Sequence, residues 1–321
     1  MTAPALGHPD RIRVGILVMV ATALAMAFGD ALVKRISAGF SIWQIYVARS
    51  LLAIPLTIVL LRLGSRAGGV LPKSLPWALL RSALLVAMWV AFYAALPILS
   101  LSTVAAAYYS GPLFIALFSS LLTGEPVGIR RWSAIALGFA GVLIILRPGS
   151  EAFTWLTFLP VLSAVFYALA AVVTRARCAE ENPLALSLTL NFCVLVAGAI
   201  GTALIATRGA VPDAIAYPFL LGPWSPMGLR QWGLIALMAC LIVATSAGVA
   251  RAYQSGPSSI IATFDYSYLV FALLWRFVFF DELPGLSTVI GGLAIAGAGL
   301  MTIAEPRSNS RSVASPASAS P

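Results

Sequence analysis

The sequence has little charge and almost no histidine or cysteine. Only 10% of its 321 residues are charged, against about 25% in a soluble domain, so a folded chain would lack the polar surface that water requires. The single histidine is His8, and the three cysteines, Cys178, Cys193 and Cys240, show no C-x-x-C spacing. These absences exclude a Cys/His metal site and a Cys–His nucleophile pair. No Gly-rich phosphate loop is present, which excludes direct drive by ATP. The sequence therefore predicts neither metal nor cofactor.

Long apolar runs take up most of the chain. Hydrophobic residues make up 60% of it and the mean hydropathy is +0.97. A membrane-spanning helix needs about 20 mostly apolar residues. The sequence therefore predicts an all-α polytopic membrane protein with about ten transmembrane helices, at residues 13–36, 41–61, 76–97, 99–123, 131–147, 153–174, 184–206, 230–251, 257–280 and 285–304.

The basic residues fall singly or in pairs between the apolar runs. The net charge of +9 therefore does not indicate a nucleic-acid partner. With the N-terminus inside, thirteen Lys and Arg residues, Arg81 among them, lie in cytoplasmic segments and five lie outside. This bias predicts cytoplasmic termini and the inner membrane. Residues 1–12 are then a cytoplasmic tail, 207–229 a loop at the membrane interface, and the Ser/Pro/Ala-rich 305–321 a disordered tail.

An internal repeat appears when the chain is displaced by 157 residues. Tyr109 then falls on Tyr266, Ser110 on Ser267, and Glu125 on Glu282. A displacement of five helices, an odd number, predicts that the second unit (153–304) is inverted in the membrane relative to the first (13–147). Inverted repeats are typical of secondary transporters, although duplicated halves also occur in channels.

The same stretches carry a family resemblance. GPLFIALFSSLLTGE (111–125) and DYSYLVFALLWRFVFFDE (265–282) resemble the ends of two EamA-type domains, so residues 13–304 resemble the drug/metabolite transporter superfamily. The resemblance implies ten helices around a central cavity that opens to one side at a time. It also implies transport of a small organic metabolite or drug, with export favoured. The alternative is uptake of a vitamin or nucleoside-type metabolite, because 265–282 is somewhat similar to proteins that move riboflavin or S-adenosylmethionine.

Three ionisable residues inside spans are candidate substrate-binding residues. Asp30 lies ~25 Å from the cytoplasmic end of helix 1 and Arg49 at a similar depth in helix 2, which predicts an ion pair. Lys34, one turn above Asp30, could join it. The pair either meets a charged part of the substrate or only holds the two helices together. Asp265, ~12 Å into helix 9, either exchanges a proton, binds a cationic group, or hydrogen-bonds a neighbour such as Tyr253 or Ser258.

Aromatic side chains near the middle of spans suit a substrate with a planar or apolar part. Each one alone is also explained by packing, but as a set several should line the cavity. They are Trp89, Tyr93, Tyr108, Tyr167, Tyr253 and Tyr266.

Two glutamates have an architectural interpretation. Glu125 and Glu282 each end one helix just before another begins, where a carboxylate can cap the backbone. The predicted partners of the chain are a small-molecule substrate and membrane lipid, with no nucleic acid and a monomeric state. A membrane enzyme acting on lipid-linked substrates, a channel and a non-transporting sensor are the competing classes. The scarcity of histidine and of paired carboxylates argues against the enzyme.

Overall fold

The computed structural model describes residues 9–36, 39–64, 70–95, 108–124, 127–146, 158–208, 218–280 and 286–303. All regular structure within these ranges is helical. The helices of the first part are α1 (Pro9–Ile36), α2 (Ile42–Gly64), α3 (Leu75–Ala95), α4 (Gly111–Phe118, continued by the π-helical turn Ser119–Thr123) and α5 (Ile129–Leu146). Those of the second part are α6 (Phe158–Arg177), α7 (Pro183–Arg208), α8 (Leu229–Ser255), α9 (in two segments, Ser258–Asp265 and Ser267–Phe280) and α10 (Leu286–Ile303).

Six of the described helices, α1, α2, α3, α6, α7 and α8, are long and apolar enough to cross a membrane. Shorter apolar helices lie within α4 and α10. The outer surface is apolar as well, since Leu17, Leu121 and Leu293 are each at least 69% exposed. A surface of this kind needs lipid around it. The chain is therefore a polytopic all-α membrane protein, as the sequence predicts.

The predicted ninth span is interrupted. Its first segment ends at Asp265, Tyr266 forms a turn, and the second segment begins at Ser267. The sequence predicts one continuous helix here, because no Gly or Pro stands between Ser258 and Phe280. Inside a membrane, a helix break is tolerated only where protein or a polar cavity surrounds it. The break therefore lies at a place where α9 faces other helices.

The helices pack in pairs drawn from the two parts of the chain. α5 lies along α10, α3 along α6, α2 along α7, and α1 along α8. The α5–α10 contact is very close, because a Cβ at Gly141 would lie 2.8 Å from the carbonyl oxygen of Gly291. Small residues let helix backbones approach in this way inside membranes.

Most of these pairs are related by a displacement of five helices. The contact of α3 with α6 corresponds to that of α8 with α1, and the contact of α4 with α6 to that of α9 with α1. Similarly, α3 packs on α7 and α8 packs on α2. The relation is incomplete. α8 also packs on α6 and α7, whereas within the described ranges α3 makes at most isolated contacts with α1 and α2.

The turn between α6 and α7 is held by a set of polar contacts, called here the turn cluster. Both carboxylate oxygens of Glu181 accept backbone N–H bonds, from Lys73 (2.8 Å) and from Ser74 (2.7 Å), just before α3 begins. The side-chain amide of Gln254, near the end of α8, donates to the carbonyl oxygens of Cys178 (2.6 Å) and Glu181 (2.9 Å). The cluster therefore joins α3, α6 and α8 at one end of the bundle.

Arg81, which the charge distribution assigns to a cytoplasmic segment, is buried inside the helix bundle. Its side chain is 1% exposed, and its Nε donates to Thr174 Oγ1 on α6 (2.7 Å). It lies six residues into α3, where its side chain faces α6. Its assignment to the cytoplasmic side stays a prediction.

Candidate substrate-binding site

Aromatic rings form a connected chain through the centre of the bundle. Tyr93 contacts Phe92 with ring centroids 5.6 Å apart, and Phe92 contacts Tyr108 at 5.3 Å. Tyr108 lies 6.2 Å from Tyr167, which lies 6.4 Å from Tyr253. The chain joins α3, the start of α4, α6 and α8. Four of the aromatic residues predicted from the sequence are thus brought together.

Asp265 lies beside this chain, at the break in α9. Its carboxyl interacts with the hydroxyl of Tyr167, and its charge also acts on Tyr108 and Tyr253. The Tyr253 hydroxyl donates in turn to that of Tyr167 (3.5 Å). The sequence suggests Tyr253 or Ser258 as a partner for Asp265, and the structure adds Tyr167 to the groups around its carboxyl. An acid at a helix break among tyrosines can accept a cationic group or a proton.

Asp30 faces open space and is hydrogen-bonded to α9. The hydroxyl of Tyr268 donates to Asp30 Oδ2 (2.5 Å), and the side chain of Asp30 is exposed. Asp30 and Arg49 attract each other electrostatically, but the described residues show no direct ion pair between them. The predicted direct ion pair is therefore not formed among the described residues. Asp30 instead accepts its hydrogen bond from Tyr268 of α9.

Arg49 is buried among aromatic rings. It is 8% exposed, and its guanidinium carbon lies 5.5 Å from the ring centroid of Tyr46 and 5.8 Å from that of Trp89. The two rings are themselves 6.4 Å apart. Trp89, another predicted residue, thus belongs to the site through Arg49. Such cation–π contacts stabilise a charge without using its N–H groups.

Tyr266 packs in an apolar group beside the aromatic chain. It is fully buried in a group that includes Val142 of α5 and Ile295 of α10. A Cβ at Gly138 would lie 2.6 Å from the Tyr266 ring, so this ring occupies the space that the glycine leaves. Tyr108 of the aromatic chain packs against the same group, so Tyr266 is connected to the chain through Tyr108.

Two predicted caps lie outside the described residues. These are Glu125 and Glu282, and the side chain of Lys34 is likewise not described. Their predicted roles stay predictions.

The segment before α8 closes one end of the site. The sequence predicts a loop at the membrane interface here, but Phe219 reaches Tyr93 with ring centroids 5.7 Å apart. Trp43 Nε1 donates to the carbonyl oxygen of Leu220 (2.8 Å), and Gln44 exchanges two hydrogen bonds with the backbone of Ser225. In the sequence, the four prolines of residues 207–229 indicate a loop. They do not predict that the ring of Phe219 contacts Tyr93.

Two shallow clefts lie beside the first half of α2. They measure about 220 and 230 Å³, meet at Trp224 and are lined by none of the predicted binding residues. In the part of the chain that the structure describes, no group of three or more His, Cys, Asp or Glu side chains is placed to hold a metal. Burial raises the pKa of the Cys178 thiol to about 11, which makes it a poor nucleophile.

Comparison with known proteins indicates transport. Residues 13–147 match the EamA-like transporter family. A riboflavin transporter from Rhizobium johnstonii is 29% identical over 91% of this chain and 92% of its own length. The pseudopaline exporter CntI from Pseudomonas aeruginosa is 26% identical over 89% of this chain and 94% of its own length. An S-adenosylmethionine uptake transporter from Rickettsia bellii is 24% identical over 65% of each chain.

A solved crystal structure shares the fold. It superimposes with a TM-score of 0.69 at 16% identity, covering 91% of this chain and 96% of the other. The sequence relatives above are all membrane transporters of small metabolites, which supports the same broad function here.

Proposed function

We propose that this chain, whose residues 13–147 belong to the EamA-like transporter family, is a secondary transporter that moves a small organic metabolite or drug across the inner membrane by alternating access. The observation that carries the proposal is the central group formed by Asp30, Arg49, Asp265 and the aromatic chain. Charged side chains inside a membrane are costly and mark substrate or ion pathways. Asp265 lies at a one-residue irregularity of α9, where Tyr266 keeps right-handed helical dihedral angles (φ −57°, ψ −21°).

The helix contacts support alternating access through two inverted five-helix repeats, 13–147 and 153–304, with about ten spans in all. The main contacts of α3 correspond to those of α8 after a displacement of five helices. The two halves nevertheless differ, because α8 packs on α6 and α7 while α3 makes at most isolated described contacts with α1 and α2. Two similar units holding different contacts can exchange those contacts and so open the site to the other side.

The finer assignments follow the sequence. The bias of Lys and Arg places both termini in the cytoplasm, and a chain with both repeats needs no second subunit, so a monomer is proposed. Export is favoured by the resemblance to the drug/metabolite transporter superfamily. The second candidate is uptake of a vitamin or nucleoside-type metabolite, favoured by the similarity to a riboflavin transporter and to an S-adenosylmethionine uptake transporter.

A binding screen followed by flux measurement tests the proposal. The purified protein is heated with amino acids, nucleosides, flavins, sulfonium compounds and cationic drugs. A ligand at 100 times its Kd should stabilise it by about 2.7 kcal/mol. Ligands that bind are then followed into proteoliposomes. Saturable flux with exchange between labelled and unlabelled ligand supports the transporter. Unsaturable flux indicates a channel, and binding without flux indicates a sensor, so either result contradicts the proposal.

A further inference from the structure

Arg49 has hydrogen-bond donors that the protein does not use. Its side chain is 8% exposed, and neither Nε nor Nη2 has a hydrogen-bond partner among the described residues. Arginine remains charged in proteins, and buried donors without a partner are rare and costly. In lipid the cost is greater still, since charged residues there normally face a partner or water. The free donors of Arg49 therefore indicate a ligand.

Asp30, the carboxylate that the sequence pairs with Arg49, does not accept a hydrogen bond from it. Asp30 accepts a hydrogen bond from Tyr268 and only attracts Arg49 through space. A direct ion pair would have joined α1 to α2 and left no hydrogen-bond donors of Arg49 for a substrate. The structure instead keeps the acid and the base apart, each with its own neighbours.

The surroundings of Arg49 define what could bind. The guanidinium lies over the faces of Tyr46 and Trp89, which leaves the edge of its plane available. That edge matches the two oxygens of a carboxylate. The Tyr46 hydroxyl is a further donor, 3% exposed and without a partner in the described ranges. Trp89 is only partly buried, so its ring can contact a planar group attached to the acid.

We propose that Arg49 and the Tyr46 hydroxyl bind the carboxylate of the substrate, and that the substrate is an organic acid whose planar ring packs beside Trp89. This inference rests on the proposed transport function and names the substrate class. Zwitterions with a ring are included, because only the acid group is assigned to Arg49.

Acids compared with their own amides provide the test. The probes are L-tryptophan with L-tryptophanamide and nicotinate with nicotinamide, measured by thermal shift and by competition in proteoliposomes. We expect at least one acid to bind at least ten-fold more tightly than its amide. Arg49→Gln should abolish this preference. Arg49→Lys should retain part of it, because the charge remains but the paired donors are lost. Arg251→Gln, which changes an exposed arginine, should retain all of it.

Two results overturn the inference. The first is that the unaltered protein shows no preference for the acids. It then either binds each acid and its amide with equal affinity or binds neither acid at millimolar concentration. The other is a preference for the acid that survives in Arg49→Gln or, if that variant does not fold, persists in full in Arg49→Lys. If neutral or cationic compounds of the wider panel are still transported, only the substrate class fails. If no compound of that panel is transported, the transport function itself fails.

Discussion

The turn cluster and the central site are both buried and polar, but they differ in how far their hydrogen bonds are made. Glu181 uses both carboxylate oxygens and Gln254 bonds two carbonyls. In the centre, two nitrogens of Arg49 and the hydroxyl of Tyr46 have no partner within the part of the chain that the structure describes. Buried polar groups are normally paired. The comparison suggests that the turn cluster serves stability and that the centre reserves its donors for a ligand.

Removing the carboxylate of Glu181 should have the largest effect on stability. Glu181→Ala leaves the part-buried backbone N–H groups of Lys73 and Ser74 without their acceptor, and we expect a loss of about 1–3 kcal/mol in the free energy of unfolding. Denaturant unfolding in detergent measures it. Glu180→Ala, an exposed neighbour, is the control and should change little. Weakened ligand binding in Glu181→Ala at a temperature where it stays folded would show that the cluster also serves the site.

Asp265→Asn should reduce transport strongly and change stability little, in contrast to Glu181→Ala. The change keeps the shape of the side chain but removes the charge beside Tyr167, so we expect transport to fall at least ten-fold, about 1.4 kcal/mol. The free energy of unfolding should change by less than ~0.5 kcal/mol, because no backbone group depends on Asp265 in the way that two depend on Glu181.

The control for this change is Asp10→Asn, at the exposed start of α1, which should transport normally. Unchanged transport by Asp265→Asn together with a large loss of stability would assign Asp265 to architecture and remove its place in the site.

The sequence predicts which helix carries a residue better than which neighbour it meets. Hydropathy assigned Asp30 and Arg49 to helices that the structure also has. The rotation of each helix is set by packing, and no local signal connects Asp30 with Tyr268, 238 residues away. Likewise, no local signal shows that Arg81 meets a hydroxyl of α6.

The break in α9 had no signal in the sequence. Breaks usually come with Gly or Pro, and neither occurs between Ser258 and Phe280. The Tyr266 ring lies in the space left by Gly138 of α5, which is a contact between residues more than a hundred positions apart. Only the fold brings the two together.

Tyr268→Phe should have an intermediate effect. It removes the hydrogen bond to Asp30 but keeps the ring contact with Tyr109, at 6.0 Å between centroids. We expect a loss of about 1 kcal/mol in the free energy of unfolding, since Asp30 is exposed and can be solvated instead. A double-mutant cycle with Asp30→Asn measures the coupling. A coupling near zero would mean that the bond does not tie α1 to α9, and Asp30 would then be as available to a substrate as Arg49.

The smallest effect is expected from a neutral pair inside the bundle. Ser187 and Ser246 join α7 to α8 through a hydroxyl–hydroxyl bond (2.5 Å), and hydrogen bonds of this kind between membrane helices contribute on average about 0.6 kcal/mol. A double-mutant cycle of Ser187→Ala and Ser246→Ala measures the coupling by unfolding in detergent. A value near 0.6 kcal/mol would attribute the larger loss in Glu181→Ala to its charge and its two backbone partners. A coupling of several kcal/mol would instead show that any paired polar contact in this bundle is strongly stabilising. The turn cluster and the unpaired donors of Arg49 would then differ in their location in the bundle, and the comparison would no longer assign them different roles.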